Sequence, residues 1–333
     1  MHLSFFFLII FLLSLLFLKI YQRLSVKFNI IDIPNSLSIH SKKTPTGAGI
    51  VFALIFFISI FLNQIYFDDF IKFDNPKNYL VLLLAISSLV LISFYDDLKN
   101  IHPLIRLFSQ LSIVFLCTSL FDLTNINLPI KLLIFLIVYF WVYTINIVNF
   151  TDGIDGFLTV NSLTFFLGTF IYCQNAINEN FIYFISLTIL PILFAYFFFN
   201  KPKATLFMGD AGSIFLGFLI GYVSIKIILN DRLDIIVSLL AYTYLDCTLT
   251  LIKKILKKQY PWARLFDYFF LIPIKNNISA KKILTVNVMY NLLILIIVFF
   301  QIFYNQKILC LLSLLLASLL IYYFSSFSNS SKS

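Results

Sequence analysis

The sequence predicts an all-α fold, a polytopic membrane helical bundle with about eleven transmembrane helices. The first observation is composition: the 333 residues are 61% hydrophobic and 12% charged, with 41 Phe and 9 Gly, which excludes an ordinary water-soluble domain. The second is that apolar runs near the roughly 20 residues that cross a ~30 Å hydrocarbon core recur along the whole chain. These runs leave no room for a large soluble domain. We therefore predict a single domain over residues 1–333, with a short polar tail at 325–333.

Each apolar run defines one predicted span. The first run is followed by Lys19 and Arg23 and lacks a small-residue cleavage site, so we interpret it as a membrane anchor and not as a signal peptide. The predicted spans are Leu3–Tyr21, Gly47–Phe67, Tyr79–Tyr95, Leu104–Phe121, Leu128–Phe150, Phe157–Cys173, Asn180–Phe199, Ala211–Leu229, Leu233–Ile252, Leu284–Phe303 and Lys307–Phe324.

The distribution of positive charge predicts the orientation of the bundle. With the N-terminus outside, the predicted spans place most of the 24 Lys and Arg residues on the cytoplasmic side, in agreement with the positive-inside rule. The C-terminus is then cytoplasmic. The net charge of +9 reflects this orientation, and we expect no nucleic-acid partner. The cysteines are scattered singly without metal-ligand spacing and are interpreted as core residues. They are Cys117, Cys173, Cys247 and Cys310.

The 15 acidic residues divide into two groups. One group lies in outer turns among ordinary loop residues, where we expect solvated side chains. The other group falls at cytoplasmic ends of spans or in the loops that join them. A carboxylate removed from water is costly unless it is paired, protonated or bound to a cation, so this second group needs partners. Its members are Asp32, Asp96, Asp97, Asp152, Asp155, Asp210, Asp246 and Asp267.

An adjacent pair of acids ends the third predicted span. The stretch SFYDDLKNIHPLIRL at 93–107 contains Asp96 and Asp97, and Arg106 opens the next span. Two like charges side by side repel unless a cation lies near them. Taken alone, the pair favours a polar stop-transfer signal, and the next two cytoplasmic loops change that interpretation.

Two further cytoplasmic loops combine acids with small and amide residues. VNFTDGIDGF at 148–157 spaces Asp152 and Asp155 three apart, on one face of a helix. NKPKATLFMGDAGS at 200–213 places Asp210 just before a span whose free N–H groups favour anions. Carboxylates together with Lys and Arg around one pocket form the composition that Mg²⁺ with a diphosphate requires. We therefore predict an active site at the cytoplasmic face.

Five collinear stretches carry a family resemblance. They are DIPNSLSIHSKKTPTGAG at 32–49, YDDLKNIHPLIRLFSQ at 95–110, NIVNFTDGIDG at 146–156, ATLFMGDAGSIFLGF at 204–218 and LDCTLTLIKK at 245–254. In this order they resemble the polyprenyl-phosphate N-acetylhexosamine-1-phosphate transferases, integral membrane enzymes that start bacterial cell-envelope polysaccharides. The resemblance implies a multi-pass protein of the bacterial inner (cytoplasmic) membrane. It also implies transfer of a sugar 1-phosphate from a UDP-N-acetylhexosamine to undecaprenyl phosphate, with release of UMP.

The resemblance also implies a cofactor and a role for each site residue. The cofactor is Mg²⁺, with Mn²⁺ as the alternative, and the metal ligand is Asp210. The oligomeric state is left open between monomer and homodimer. The residues implied to serve the reacting phosphates are Asp96, Asp97 and Arg106. The residues implied to bind substrate are His40, Lys42, Asn149, Asp152, Asp155, Asn200, Phe207 and Arg264.

The last large cytoplasmic loop departs from the family pattern. Relatives usually carry several histidines there, whereas QYPWARLFDYFFLIPIKNN at 259–277 has Arg264 and Asp267 instead. A non-catalytic relative that binds the lipid or a partner enzyme is therefore one alternative. A transporter is another, but it would place ionisable groups near the bilayer midplane, and only Asp155 and Asp246 come near span interiors. The basic, aromatic stretch around this loop is expected at the bilayer interface, either to hold the lipid carrier or as a simple interfacial loop.

Overall fold

The computed structural model describes residues 2–34, 41–66, 76–99, 101–124, 126, 128–175, 180–260 and 268–329. Within these ranges the chain is almost entirely helical. Its helices are α1 (His2–Lys27), α2 (Gly49–Tyr66), α3 (Pro76–Lys99), α4 (Pro103–Cys117), α5 (Ile130–Phe150), α6 (Phe157–Asn175), α7 (Asn180–Asn200), α8 (Gly209–Leu229), α9 (Leu233–Leu256), α10 (Ile272–Lys275), α11 (Ala280–Tyr304) and α12 (Cys310–Ser326). The described strands are β1 (Ile31–Asp32) and β2 (Thr44–Pro45).

The helices of the described part of the chain confirm a polytopic membrane bundle. Ten of them are long and apolar enough to cross a membrane. The predicted span Gly47–Phe67 corresponds to α2, whose apolar part, Gly49–Ile65, is shorter than each of the ten spans. The ten are α1, α3, α4, α5, α6, α7, α8, α9, α11 and α12, with α4 and α12 each counted together with an adjoining 3₁₀ turn, Thr118–Leu120 and Lys307–Leu309.

Several helices are longer than the predicted spans at one end of the bundle. α1 ends at Lys27, α9 ends at Leu256 and α11 begins at Ala280. Hydropathy detects only the apolar part of a helix, whereas the backbone hydrogen bonds continue into the polar part that follows. We call this end the polar end. There α3, α5, α7 and α9 finish, and α4, α6, α8 and α11 begin.

α8 is the central helix of the bundle. In the apolar stretch of α8, 83% of the residues are buried, whereas in that of α1 only 22% are. α1 therefore faces the surroundings, and α8 is enclosed by protein. α8 packs on α5, α3 and α2. The fully buried indole of Trp141 on α5 donates a hydrogen bond to the carbonyl of Phe218 at 2.8 Å. These contacts fix the position of α8 in the bundle, with its first turn at the polar end.

A short ladder attaches the segment before α2 to the segment before α8. β1 and β2 are antiparallel, with Ile31 opposite Pro45. The chain after β2 then pairs with the residues that lead into α8. The N–H of Phe207 donates to the carbonyl of Pro45 at 2.8 Å, and the N–H of Gly49 donates to the carbonyl of Met208 at 3.0 Å. This backbone pairing was not predicted, because no sequence pattern marks two residues of strand.

A buried cluster of amides joins α6 and α11. The side-chain N–H groups of Asn287 and Asn291 both donate to the Oδ1 of Asn161 at 2.9 Å. Asn287 is fully buried. In a membrane the lipid tails are as apolar as the helix surfaces, so hydrogen bonds between helices contribute to holding them together. The cluster therefore fixes α11 against the helix that follows the third sequence motif.

Candidate active site

Arg106 joins two of the sequence motifs. Its Nη1 contacts the carboxylates of both Asp96, at the end of α3, and Asp210, in the first turn of α8. Asp96 is buried, and its other oxygen accepts a hydrogen bond from the backbone N–H of Ile101. That bond closes the turn between α3 and α4. Arg106 itself lies on the first turn of α4, which begins behind an N-cap made by His102.

Asp97 binds the beginning of α8 directly. Its Oδ1 accepts the backbone N–H of Asp210 at 2.8 Å, and its Oδ2 accepts that of Ala211 at 3.2 Å. The N-cap residue Met208 offers no side-chain acceptor, so an acid from α3 takes that role for α8. The positive end of the helix dipole favours a negative charge there. Asp97 therefore fixes the direction in which the neighbouring Asp210 leaves the helix.

Two glycines allow these segments to approach. Gly209 has φ +70°, a left-handed conformation, and a Cβ there would lie 2.4 Å from Asp97 Oδ2. A Cβ on Gly49, at the start of α2, would lie 2.0 Å from the backbone nitrogen of Gly212. The chain can therefore bring α2, α3 and α8 together here only with glycine at both positions.

The third motif places a partly buried acid beside this cluster. Asn149, at the end of α5, accepts a hydrogen bond from the Ser213 hydroxyl of α8 at 2.7 Å. Asp152 follows in the turn before α6. Burial, then the charges of Asp210 and Asp155, raise the pKa of Asp152 from its ordinary value of 3.8 to about 7. Burial is the larger cause of this shift, and the two neighbouring negative charges act in the same direction.

Two further predicted residues hold loops in place. Asp155 Oδ2 accepts the backbone N–H groups of Lys203 and Ala204, both at 3.0 Å. The buried Asn200 accepts the N–H of Gly156 at 2.9 Å and the hydroxyl of Thr159 at 2.8 Å. These contacts tie the third motif to the end of α7. A role for either residue in binding substrate remains a prediction.

The remaining predicted residues lie around the same end. Phe207 is half-buried in the segment paired with Pro45, and Lys42 is exposed in the turn before β2. His40 and Arg264 lie outside the described residues. The structure therefore gathers Asp96, Asp97, Arg106, Asn149, Asp152 and Asp210 at one end of the bundle.

Sequence reasoning missed two contributors from α1. The Tyr21 hydroxyl donates to the carbonyl of Thr46 at 2.8 Å, and the Gln22 amide donates to the carbonyl of Thr205 at 3.0 Å. Together they hold the two paired segments against the end of α1. Tyr21 is the last residue of the first predicted span and Gln22 is the first residue of the extension of α1 beyond it, and no sequence motif marks either residue.

The acids at this end fit a hard divalent cation. Within the described residues no group of three or more His, Cys, Asp or Glu side chains forms a complete metal cage. Mg²⁺ usually takes one or two carboxylates and fills its other positions with phosphate oxygens and water. Asp210 supplies such a carboxylate, and a cation bound there would offset the charges of Asp210 and Asp155, which together with burial raise the pKa of Asp152. The acidic residues at the polar end therefore fit the Mg²⁺ ion that the motifs imply.

Comparison with known proteins covers the part of the site that α3 to α8 contribute. The family model for glycosyl transferase family 4 matches residues 79–228, which include Asp96, Arg106, Asp152 and Asp210. The chain is similar to the phospho-N-acetylmuramoyl-pentapeptide-transferase of Staphylococcus saprophyticus, with 30% identity over 257 residues that cover 68% of this chain and 75% of that protein.

Two other relatives show the same pattern. The phospho-N-acetylmuramoyl-pentapeptide-transferase of Staphylococcus carnosus is 27% identical over 256 residues, which cover 68% of this chain and 75% of that protein. The probable undecaprenyl-phosphate N-acetylglucosaminyl 1-phosphate transferase of Bacillus subtilis is 23% identical over 265 residues, which cover 74% of this chain and 70% of that protein. With the helical bundle and the gathered motifs, these similarities show that the chain belongs to glycosyltransferase family 4, the membrane-embedded polyprenyl-phosphate sugar-1-phosphate transferases.

Proposed function

We propose that this chain transfers a sugar 1-phosphate from a UDP-N-acetylhexosamine to undecaprenyl phosphate, giving a lipid diphosphate sugar and UMP. Such a product would start a cell-envelope polysaccharide. The observation that carries the proposal is the contact of Arg106 with both Asp96 and Asp210, because it brings together acids that lie more than a hundred residues apart. Family membership supports the same reaction class.

The reaction requires one bond to form and one to break. An oxygen of the lipid phosphate attacks the phosphorus that carries the sugar, and the bond from that phosphorus to the oxygen shared with the UMP phosphate breaks. UMP leaves with both bonding electrons. The lipid phosphate is already an oxyanion at neutral pH, so positioning and charge neutralisation contribute more than removal of a proton.

The residues at the polar end have distinct roles in this proposal. Asp210 would hold Mg²⁺, or Mn²⁺ in its place, and that cation when bound neutralises charge on the diphosphate. Arg106 donates to phosphate oxygens when it leaves Asp210, while its contact with Asp96 keeps the guanidinium in the site. Asp97 keeps Asp210 in position through the backbone of α8. Asn149 and Asp152 would face the nucleotide sugar, with Phe207 stacking on the base.

One assay tests the proposal as a whole. The purified protein is supplied with undecaprenyl phosphate and Mg²⁺, and with a panel of UDP-sugars that includes UDP-N-acetylglucosamine and UDP-N-acetylmuramoyl-pentapeptide. We expect UMP release with at least one donor, dependent on both the lipid phosphate and the metal. Binding of a UDP-sugar without UMP release from any donor would instead support a non-catalytic relative.

A transporter receives no support from the two acids that lie nearest to span interiors. Asp155 accepts two backbone N–H groups. The fully buried Asp246 accepts four hydrogen bonds from its own surroundings. Both acids are occupied by contacts that hold the fold together, whereas a transport pathway needs a group that can exchange partners.

A further inference from the structure

Asp246 binds a short turn that follows the last large loop. This residue lies on α9, and its side chain is fully buried. Its Oδ1 accepts the backbone N–H of Phe269 at 2.9 Å, and its Oδ2 accepts that of Phe270 at 3.1 Å. Those residues begin a 3₁₀ turn over Phe269–Leu271 that leads into α10. One carboxyl group on a membrane-spanning helix thus holds the first N–H groups of the turn.

The same carboxyl group has no acceptor position left for a ligand. The Tyr242 hydroxyl donates to Oδ2 at 2.7 Å, and the Thr250 hydroxyl donates to Oδ1 at 3.3 Å. Both donors lie four residues from Asp246 and so on its face of α9. A carboxylate offers about four lone-pair positions, and all of them are occupied here. Asp246 can therefore influence a substrate only through the turn that it binds.

The turn packs directly on the loop that carries Asp152. Phe270 is fully buried, and its ring stacks on that of Phe157 with centroids 4.8 Å apart. A Cβ on Gly153 would lie 3.1 Å from the Phe270 ring and 3.3 Å from Leu271. Gly153 is the neighbour of Asp152, so any shift of the turn moves the backbone that carries this acid.

Two lysines brace the other side of the turn. The ammonium of Lys253 lies 3.7 Å from the centroid of the Phe269 ring, and that of the buried Lys254 lies 5.1 Å from the Tyr268 ring. Cation–π contacts of this kind are stronger where water is excluded. The turn is therefore held from α9 by one acid and two cations, directly after the segment that contains Arg264.

We propose that Asp246 is a positioning residue for the sugar-nucleotide donor. Through Phe269–Leu271 it positions the backbone of Asp152 on one side. On the other side it positions residues 268–277, the part of the last large loop that leads into α10 and α11. It contacts neither substrate nor metal itself. This inference rests on the proposed function, because it assigns both sides of the turn to donor binding.

The test compares Asp246→Asn with Tyr242→Phe in the full-length protein. Asn keeps the size of the side chain but replaces one acceptor oxygen by an N–H₂ group, so at least one N–H of the turn loses its partner. Phe removes a donor to the same carboxyl group and leaves both backbone contacts in place. Two measurements are made on each variant: steady-state kinetics with donor and lipid varied separately, and hydrogen exchange of the amides in 268–275.

We expect Asp246→Asn to raise the KM for the donor by about tenfold or more, the effect of one lost buried hydrogen bond, and to leave the KM for undecaprenyl phosphate within about twofold. Exchange protection of 268–275 should fall by about the same factor. Tyr242→Phe should retain the donor KM and the protection. Equal changes for both substrates, or changes that follow thermal stability in both variants, would overturn the positioning role.

The exchange measurement needs no substrate and separates the two proposals. If the wild-type protein releases no UMP with any donor, the proposed function fails and the donor role falls with it. Unchanged protection of 268–275 in Asp246→Asn overturns the anchor itself, whatever the kinetics show.

Discussion

Asp97 Oδ1 accepts a hydrogen bond from the backbone N–H of Asp210 at 2.8 Å, although the two residues are 113 positions apart in the chain. One acid therefore fixes the backbone that carries the other. The paired acids of the second motif divide their work: Asp96 contacts Arg106, whereas Asp97 binds the start of α8. The site is thus assembled from a helix end, an acid that caps it and a cation that joins both motifs.

Asp210→Asn should reduce Mg²⁺-dependent UMP release by at least about 100-fold, because it removes the carboxylate proposed to hold the metal. The fold should remain, since the backbone contacts of Asp97 with α8 do not involve this side chain. UMP release and thermal unfolding are measured side by side. Asp231→Asn is the matched control, since it makes the same chemical change at the opposite end of the bundle in a left-handed turn that suits Asn. Undiminished turnover in Asp210→Asn would remove it from the metal role.

Arg106 and Asp210 should be coupled in a double-mutant cycle. Arg106→Ala leaves the buried Asp96 and the partly buried Asp210 without their shared cation, and we expect it to lower the free energy of unfolding by about 1–3 kcal/mol. In the Asp210→Asn background, Arg106→Ala should lower the free energy of unfolding by a smaller amount, because one of the two unneutralised carboxylates is then absent. Unfolding by denaturing detergent measures all four proteins. Arg106→Lys should recover only part of the loss, since one ammonium cannot reproduce the planar guanidinium that contacts both acids. Strictly additive changes would show that the contact contributes nothing.

The stability of the metal-free protein should fall as pH rises toward neutrality. The pKa of Asp152 is raised from 3.8 to about 7, so between these values the folded state holds a proton that the unfolded state has released. The contribution of Asp152 to the free energy of unfolding therefore decreases between these two pH values and is constant at higher pH. Thermal unfolding measured from pH 5 to pH 8 checks the slope, and Asp152→Asn should flatten it. Identical slopes in the two proteins would contradict the assignment.

The same titration predicts how a metal acts. Below the raised pKa of Asp152, a proton already reduces the negative charge near Asp210 and weakens the attraction for a cation. Addition of Mg²⁺ should therefore raise the thermal midpoint more at pH 8 than at pH 6. A Mg²⁺ effect that is the same at both pH values would show that Asp152 lies outside the field of the metal.

Gly209→Ala should prevent assembly of the site. A methyl group there would lie 2.4 Å from Asp97 Oδ2, and the left-handed backbone adds strain. We expect loss of UMP release together with a lower thermal midpoint. Gly168→Ala is the control within the same bundle, because its methyl group would meet only the end of the Leu239 side chain, which can rotate away. Equal losses in the two variants would mean that any added methyl group is harmful, whatever it contacts.

The polar end of the bundle is expected to face the cytoplasm. A fluorescent protein fused after Ser333 should therefore fluoresce in a bacterial host, and a periplasm-dependent phosphatase at the same place should be inactive. Exchanging the two reporters onto the turn at Asn230, at the opposite end, should give the reverse pattern. An active phosphatase at the C-terminus would show that the polar end faces away from the cytoplasm and that the predicted orientation is wrong.

Hydropathy and motif spacing predicted the helices and the gathering of acids at one end. They did not distinguish the roles of Asp96 and Asp97, because adjacent acids look alike in sequence while their side chains point to different neighbours. They gave no sign of Tyr21 and Gln22, whose partners are backbone carbonyls distant in the chain.

Part of the role of Asp246 could have been predicted from the sequence. A hydroxyl four residues before it and another four residues after it lie on its own helix face, a pattern that indicates an acid already provided with donors. Its two backbone donors in Phe269 and Phe270 depend on how the chain returns after the last loop. No local pattern carries that information.

The contact of Gly49 with Gly212 limits where this protein can be redesigned. Neither residue has a side chain to shorten, so an atom added at one position has no compensating deletion at the other. Laboratory evolution toward a new donor sugar should therefore leave both glycines unchanged. Its accepted substitutions should gather instead in 268–277 and in the side chains that pack on it, where two rings in contact, such as Phe270 and Phe157 of α6, can be exchanged together.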